Sequence, residues 1–325
     1  MNRIAFLILV FGLIAAGCNN QSPKLFELEE VPENSGFKMD DYWIWGGSMI
    51  RVDSVYHLFA SRWPKSGKFP HGYKTGSEIV RASSFSPLGP FTFQEVIIGE
   101  RDSAFWDSNM AHNPTIHKIE DEFVLFYIGS DYTSLQENSD KLLRRVGYAK
   151  AESINGPWIR SNQPLIETES NNPAILQDSG AIWLMYRNAD LKVYLARADS
   201  VNGPYSTVND NVWPACKLED FYLFKNGGKI HLICEDNVGA ISGHTRWGVH
   251  LISTNGMDSW HKGEPLIAYD HKIRLTNGSN IKCIRRERPQ LLIEDNKITY
   301  LITSVYDGES SWCQPVRIIN DIYVN

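Results

Sequence analysis

The chain has 325 residues, 42% of them hydrophobic and 12% aromatic, enough for one domain with a sizeable core. Against 38 Asp and Glu stand 32 Lys and Arg, a formal net charge of −6 with no basic run, which argues against a nucleic-acid partner. The five cysteines lack metal-ligand spacing, so neither a metal nor another cofactor is expected.

The first segment reads as a processing signal rather than as fold. Met1-Asn2-Arg3 gives a positive start, and Ile4 to Ala16 is a 13-residue apolar run, too short to span a bilayer. Ala15-Ala16-Gly17-Cys18 then sets small residues before a cysteine, which resembles a bacterial lipoprotein signal with Cys18 as the lipidated first residue. The expectation is a signal over 1–17, a polar tether over 18–35, and a protein of the bacterial envelope that meets the membrane only through a lipid anchor. Of the other cysteines, Cys216, Cys234, Cys283 and Cys313, Cys234 falls inside a predicted strand, where a free thiol is at home. No disulfide-dependent fold is predicted.

From residue 36 onward two repeats run out of phase. One is a turn phrase: Ser86-Pro87-Leu88-Gly89-Pro90-Phe91, Ser153-Ile154-Asn155-Gly156-Pro157-Trp158, Ser200-Val201-Asn202-Gly203-Pro204-Tyr205, and a looser Ser253-Thr254-Asn255-Gly256. Each follows an alternating segment that reads as a strand: Glu78 to Ser83, Val146 to Ala151, Val193 to Ala198, Trp247 to Ser253. The serines are spaced by 67, 47 and 53 residues, the period of a propeller blade with loops of unequal length.

The second repeat is a hairpin in which a polar or Gly/Pro start opens an apolar strand. It occurs at Ser48-Met49-Ile50, His112-Asn113-Pro114, Asn171-Asn172-Pro173, Glu219-Asp220-Phe221 and Glu287-Arg288-Pro289. Five hairpins predict an all-β, five-bladed β-propeller over 36–325; the alternative is an all-β sandwich with similar hairpins. The 308 residues after the signal give about 62 per blade, enough for four strands and loops. The fifth blade shows only three strands, near Gln290, Tyr300 and Val316, so the fourth is expected from Lys24 to Val31, closing the ring.

In such a ring the innermost strands open on one face, beside the loops that join second and third strands. Trp45-Gly46, His112-Asn113, Asn171-Asn172, Glu219-Asp220 and Glu287-Arg288 therefore converge. Polar groups crowded there need hydrogen-bond partners or a ligand. The loops add Arg62, Trp63, Arg187, Glu235, Asp236, His244 and Arg246. Aromatics with carboxylates, Arg and His around a concavity suit a carbohydrate, whose C–H faces stack while its hydroxyls pair.

Several stretches carry a family resemblance: Asp41-Tyr42-Trp43-Ile44-Trp45-Gly46-Gly47-Ser48, Ser61-Arg62-Trp63-Pro64-Lys65, Trp106-Asp107, His112-Asn113-Pro114-Thr115-Ile116, and Arg286-Glu287-Arg288-Pro289-Gln290-Leu291. The layout resembles the five-bladed propeller glycoside hydrolases around families 43, 117 and 130, and more closely family-43-like bacterial lipoproteins linked to polysaccharide use. The resemblance implies a base on blade one, a pKa-tuning Asp on blade three and an acid Glu on blade four. Aligned so, Gly46 stands where the base belongs and Asn172 where the tuning Asp belongs, while the acid survives as Glu219 or Asp220. The family triad therefore does not transfer intact. A His acting as acid, as in family 117, keeps His112 and His244 in play.

The expectation from these residues is an exo-acting, inverting glycosidase with Glu219 as acid and Glu287 or Asp41 as base. Arg286 and Arg288 flank Glu287 in sequence and would favour its carboxylate form. The substrate contacts expected are Trp45, Arg62, Trp63, Asp107, His112, Asn113, Asn172, Arg187, Asp220, Asp236, His244 and Arg288. The alternatives are a phosphorylase-like propeller, in which phosphate replaces water, and a non-catalytic glycan-binding propeller.

Overall fold

The computed structural model describes residues 23–131 and 142–325. The expected signal, the Cys18 lipidation site and part of the blade-two loop lie outside them. Blade one is β1 (Tyr42–Val52), β2 (Val55–Pro64), β3 (Glu78–Ser84) and β4 (Thr92–Ile98). Blade two is β5 (Met110–Ile119), β6 (Glu122–Ser130), β7 (Arg145–Ala151) and β8 (Ile159–Arg160). Blade three is β9 (Asn171–Asp178), β10 (Ala181–Arg187), β11 (Val193–Ala198) and β12 (Ser206–Asn209). Blade four is β13 (Leu218–Asn226), β14 (Lys229–Asp236), β15 (Trp247–Ser253) and β16 (His261–Tyr269). After a small hairpin, β17 (Lys272–Arg274) and β18 (Asn280–Lys282), blade five is β19 (Arg285–Glu294), β20 (Lys297–Tyr306) and β21 (Ser311–Arg317). Every blade is an antiparallel meander with its strands in chain order, so the protein is a five-bladed β-propeller.

The four turn phrases follow β3, β7, β11 and β15, the third strand of each blade. In the first three the Gly N–H closes the turn on the Ser carbonyl, at 3.0, 2.8 and 3.1 Å. The hairpin strands alternate because one face of each blade packs on the next. The core accordingly divides into inter-blade layers: Leu58 and Met49 against Leu292 and Ile302, Phe59 and Ile79 against Leu125, Val124 and Ile128 against Leu184, Leu195 against Leu232, and Ile233 against Leu301. Each such side chain contributes about 1.5–3 kcal/mol on burial. Cys216, Cys234, Cys283 and Cys313 are all free thiols.

The N-terminal segment meets the open edge of β21 at two places. Glu29 N–H donates to Arg317 O at 3.0 Å and Ile319 N–H to Glu27 O at 2.9 Å. Phe37 and Cys313 exchange both backbone bonds, at 2.9 and 3.1 Å. Between them the chain turns at Pro32 to Ser35, so these are isolated bridges rather than one continuous fourth strand. Farther back, Leu25 N–H reaches Ile267 O of blade four at 2.7 Å, so the segment ties blades four and five together.

Candidate active site

Each innermost strand carries the same irregularity near its start. The register slips between Trp45 and Ser48, His112 and Thr115, Asn171 and Ala174, Glu219 and Tyr222, and Glu287 and Gln290. At each slip one residue has positive φ: Gly46 at 64°, Asn113 at 52°, Asn172 at 54°, Asp220 at 60° and Arg288 at 57°. A β-bulge of this kind turns two successive side chains toward one end of the channel. Asn and Asp tolerate the left-handed conformation; Arg288 does not do so readily, and such strain concentrates at functional sites.

At four of the five bulges the freed backbone donor meets a side-chain acceptor. Gly46 N–H donates to Ser304 Oγ at 2.7 Å, Asn113 N–H to Ser61 Oγ at 2.8 Å, Asn172 N–H to Asn171 Oδ1 at 2.8 Å and Arg288 N–H to Asp220 Oδ2 at 3.2 Å. The second residues of the pairs form a chain across the channel. Asn113 Nδ2 donates to Asn172 Oδ1 at 2.9 Å, and Asn172 Nδ2 to Asp220 Oδ1 at 2.7 Å. The buried Arg288 guanidinium closes it on Asp220 and on Asn113 O, both at 3.5 Å. Gly46 completes the ring without a side chain, for a Cβ there would lie 2.8 Å from Asn113 Oδ1.

Above this floor is a cavity of about 200 Å³, walled by Trp45, His112, Asn171, Glu219 and Glu287. Its rim is a strap over 65–77, between β2 and β3. Phe69 of the strap stacks on Tyr306 of blade five, ring centres 4.0 Å apart, and packs on Trp45 and Trp63. Tyr73 stacks on His112 of blade two at 4.4 Å and accepts from Arg144 Nη1 at 3.0 Å. The strap thus crosses from blade five to blade two over the pocket.

Carboxylates and arginines alternate on the far wall. Glu219 accepts from Arg187 Nη2 at 2.7 Å through Oε2 and from Asn237 Nδ2 through Oε1. Arg246 Nη1 donates to Glu287 Oε1 at 2.8 Å and to Glu235 Oε1 at 2.9 Å, and lies 3.9 Å from Glu219. Arg285 lies 3.5 Å from Glu287 on its open side. Burial raises the Glu287 carboxyl to about 7, against the pull of Arg246. Burial raises Asp220 too, opposed by Arg288, and holds Glu235 well above the carboxylate range, with the Glu287 charge adding. Asp220, Glu235 and Glu287 bring oxygens within 4.8 Å of one another, and Arg246 supplies a cation there from the chain itself.

Trp45, Trp63, His112, Asn113, Asn172, Arg187, Glu219, Asp220 and Glu287 line the cavity. Arg288 lies beneath it, holding Asp220. The other expected contacts do not reach it. Asp41 is exposed and absent from the cavity lining; its carbonyl accepts from the N–H of Lys65, where the strap begins. Arg62 turns outward to pair with Glu78 and stack on Tyr42. Asp107 is buried behind blade two, accepting from Tyr127 OH at 2.6 Å beside Arg101. Asp236 takes up the backbone N–H groups of Ala240, Ile241 and Ser242 and so pins its own loop. His244 is exposed and stacks on Trp247 at 3.8 Å. Arg286, expected to act on Glu287, points instead to Thr303 and to the carbonyls of Asp270 and Lys272. His112 is buried, which holds its imidazole neutral. Sequence reasoning set Glu235 and Arg246 in the blade-four loop without giving them a role, and missed Asn237 and Phe69. The signal for the first two was weak: an acidic pair ending β14 and an Arg before the Trp that opens β15.

No family model matches the chain, and no curated protein matches it. Solved structures do. A family 117 glycoside hydrolase of the marine bacterium Zobellia galactanivorans superposes with a TM-score of 0.65 at 15% identity, over 91% of this chain and 89% of that one. The catalytic domain of a Coprinopsis cinerea family 62 α-L-arabinofuranosidase gives 0.64 at 13%, over 92% and 98%. A thermostable family 43 glycoside hydrolase gives 0.63 at 11%, over 90% and 93%. At these identities the likeness is one of fold.

Proposed function

We propose that the protein is an exo-acting glycosidase that takes the terminal sugar of a glycan into the cavity under the strap. What carries the reading is Glu287: a carboxyl on the cavity wall, buried to the point of holding a proton up to about pH 7. Perturbed carboxyls in clefts mark acid–base sites. The names of the structurally similar proteins agree with it.

The roles expected from sequence exchange. Glu219 has both oxygens engaged as acceptors, from Arg187 and Asn237, which suits a group that receives a proton. Glu287 donates its proton to the leaving oxygen; Glu219 takes one from the attacking water. The two carboxylates lie 2.8 and 3.9 Å from the same Arg246 nitrogen, so their near oxygens are no farther apart than those lengths end to end. That limit reaches the lower edge of the roughly 6.5–9.5 Å inverting range and includes the roughly 5–5.5 Å retaining one. We take inversion as the proposal, and NMR of the first anomer released decides it.

Water is favoured over phosphate because Arg187, Arg246 and Arg285 are already paired with Glu219 or Glu287. The strap favours end-on entry, so digestion of long glycans should release one small sugar from the start. A ladder of intermediate oligosaccharides would refute the exo reading. We further propose that the enzyme is held at the bacterial envelope by lipid on Cys18; Cys18→Ala should move it out of membrane fractions, and its retention there would refute the anchor.

A further inference from the structure

Glu235 is a fully buried carboxylate that the reaction above leaves unused. It is the penultimate residue of β14, the second strand of blade four. Its Oε1 accepts from Arg246, while its Oε2 has no partner. A buried ionised oxygen with no donor is costly, and the like charges of Glu219, Asp220 and Glu287 all face it. Arg246 is its cationic contact, and Arg246 serves Glu287 as well.

A second buried oxygen without a partner belongs to a residue on the same row, two strands away. Glu235 pairs across the sheet with Gly248 of β15, and Gly248 pairs with Tyr269 of β16. Paired residues point to the same face. The Tyr269 ring lies over Gly248, where an added Cβ would come within 2.2 Å of it, so the glycine leaves the ring its place on the row toward Glu235. The Tyr269 hydroxyl is buried and also lacks a partner, and Glu235 is the charge acting on it most strongly. The two oxygens are not hydrogen-bonded to each other, and a tyrosine hydroxyl can donate as well as accept, so the row alone does not set the proton on Glu235. The crowding does: Asp220, Glu235 and Glu287 bring oxygens within 4.8 Å of one another, and Arg246, the cation paired with Glu235, is shared with Glu287.

We propose that Glu235 is a positioning residue that keeps its proton through the neutral range. Its carbonyl oxygen accepts from Arg246 and holds it against Glu287. Glu219 and Asp220 from β13, Tyr269 from β16, Arg246 from the loop before β15, and Arg285, Glu287 and Arg288 from β19 are the charged and titratable groups around it. The role deepens the reading of Glu287 as the acid and rests on that reading.

The test is a carbon-13 NMR titration of the protein labelled at glutamate side-chain carboxyls, with resonances assigned by their loss in Glu235→Gln and Glu287→Gln. The Glu235 resonance should stay at the protonated position at pH 7. Glutamine copies the neutral acid, so the Glu287 midpoint should be the same in wild type and Glu235→Gln. In Glu235→Ala, Arg246 is released and the Glu287 midpoint should rise by about one pH unit. An ionised Glu235 at pH 7, a Glu287 midpoint that falls in Glu235→Gln, or one that stays put in a folded Glu235→Ala protein each overturns the proposal. If the alanine variant does not fold, the wild-type and glutamine spectra decide. The titration needs no turnover, so its failure is separable from a failure to find glycosidase activity.

Discussion

Arg187 Nη2 stands 2.7 Å from Glu219 Oε2 across the boundary of blades three and four. With Asn237 on the other oxygen, Glu219 is held as an acceptor over the cavity. Glu219→Gln should therefore cost about 10²–10⁴-fold in kcat/KM, and equally for substrates with poor and activated aryl leaving groups. A loss confined to poor leaving groups would return the acid role to Glu219. The assay is steady-state kinetics on a matched pair of glycosides.

The pH profile follows from Glu287, raised by burial to about 7. An acid must be protonated to donate, so kcat/KM should hold below about pH 7 and fall above it. Arg246→Met removes the cation that opposes the rise, and the alkaline limb should move upward. A limb that moves down, or not at all, would contradict the assignment. Stability has the same sign. The folded state favours neutral Glu287, so its contribution is full below the unfolded value of 4.5 and is lost as pH rises through about 7. Glu287→Gln should shrink the difference in urea-unfolding stability between acidic and alkaline pH, by up to roughly 3 kcal/mol.

Asp236 is an anchor for the loop that delivers Arg246. Its carboxylate accepts three backbone N–H groups and the Ser242 hydroxyl. Asp236→Ala should lower stability by about 1–3 kcal/mol, as buried donors lose their acceptor. It should lower kcat/KM without changing the dependence on leaving group. Thermal unfolding and the same glycoside pair check both points.

Phe69 holds the strap to blade five through its stack on Tyr306, 4.0 Å away. Phe69→Ala should raise KM more than it lowers kcat and should let longer products appear among the digestion fragments. An unchanged product profile would remove the strap from any role in end selection.

The five bulge pairs were legible in sequence because each breaks an apolar strand with a polar residue or a glycine at one phase of the repeat. The same periodicity gave the blades, since inter-blade packing demands it. The wall of the site was legible only in part: Glu219, Glu287 and Arg187 were expected there, but the roles of Glu235 and Arg246 were not. Glu235 and Arg246 reach it from the end of a second strand and from a loop, and no spacing announces that three carboxylates meet there. The environment of Glu287 was misjudged for a related reason. Its sequence neighbour Arg286 turns to Thr303 and Arg288 to Asp220, so the cations that act on Glu287 are Arg246 and Arg285. Asp107 and Arg62 misled because a polar residue near a channel can equally be satisfied behind it, as both are by ion pairs.

One measurement bears on the whole scheme: reducing-sugar release from a glycan panel, with and without phosphate, by wild type and Glu287→Gln. The expected result is a single sugar released in plain buffer, unaffected by phosphate, with a loss of about 10²–10⁴-fold in Glu287→Gln on unactivated glycans. Release only in phosphate, release undiminished in Glu287→Gln, or no release from any glycan would contradict it.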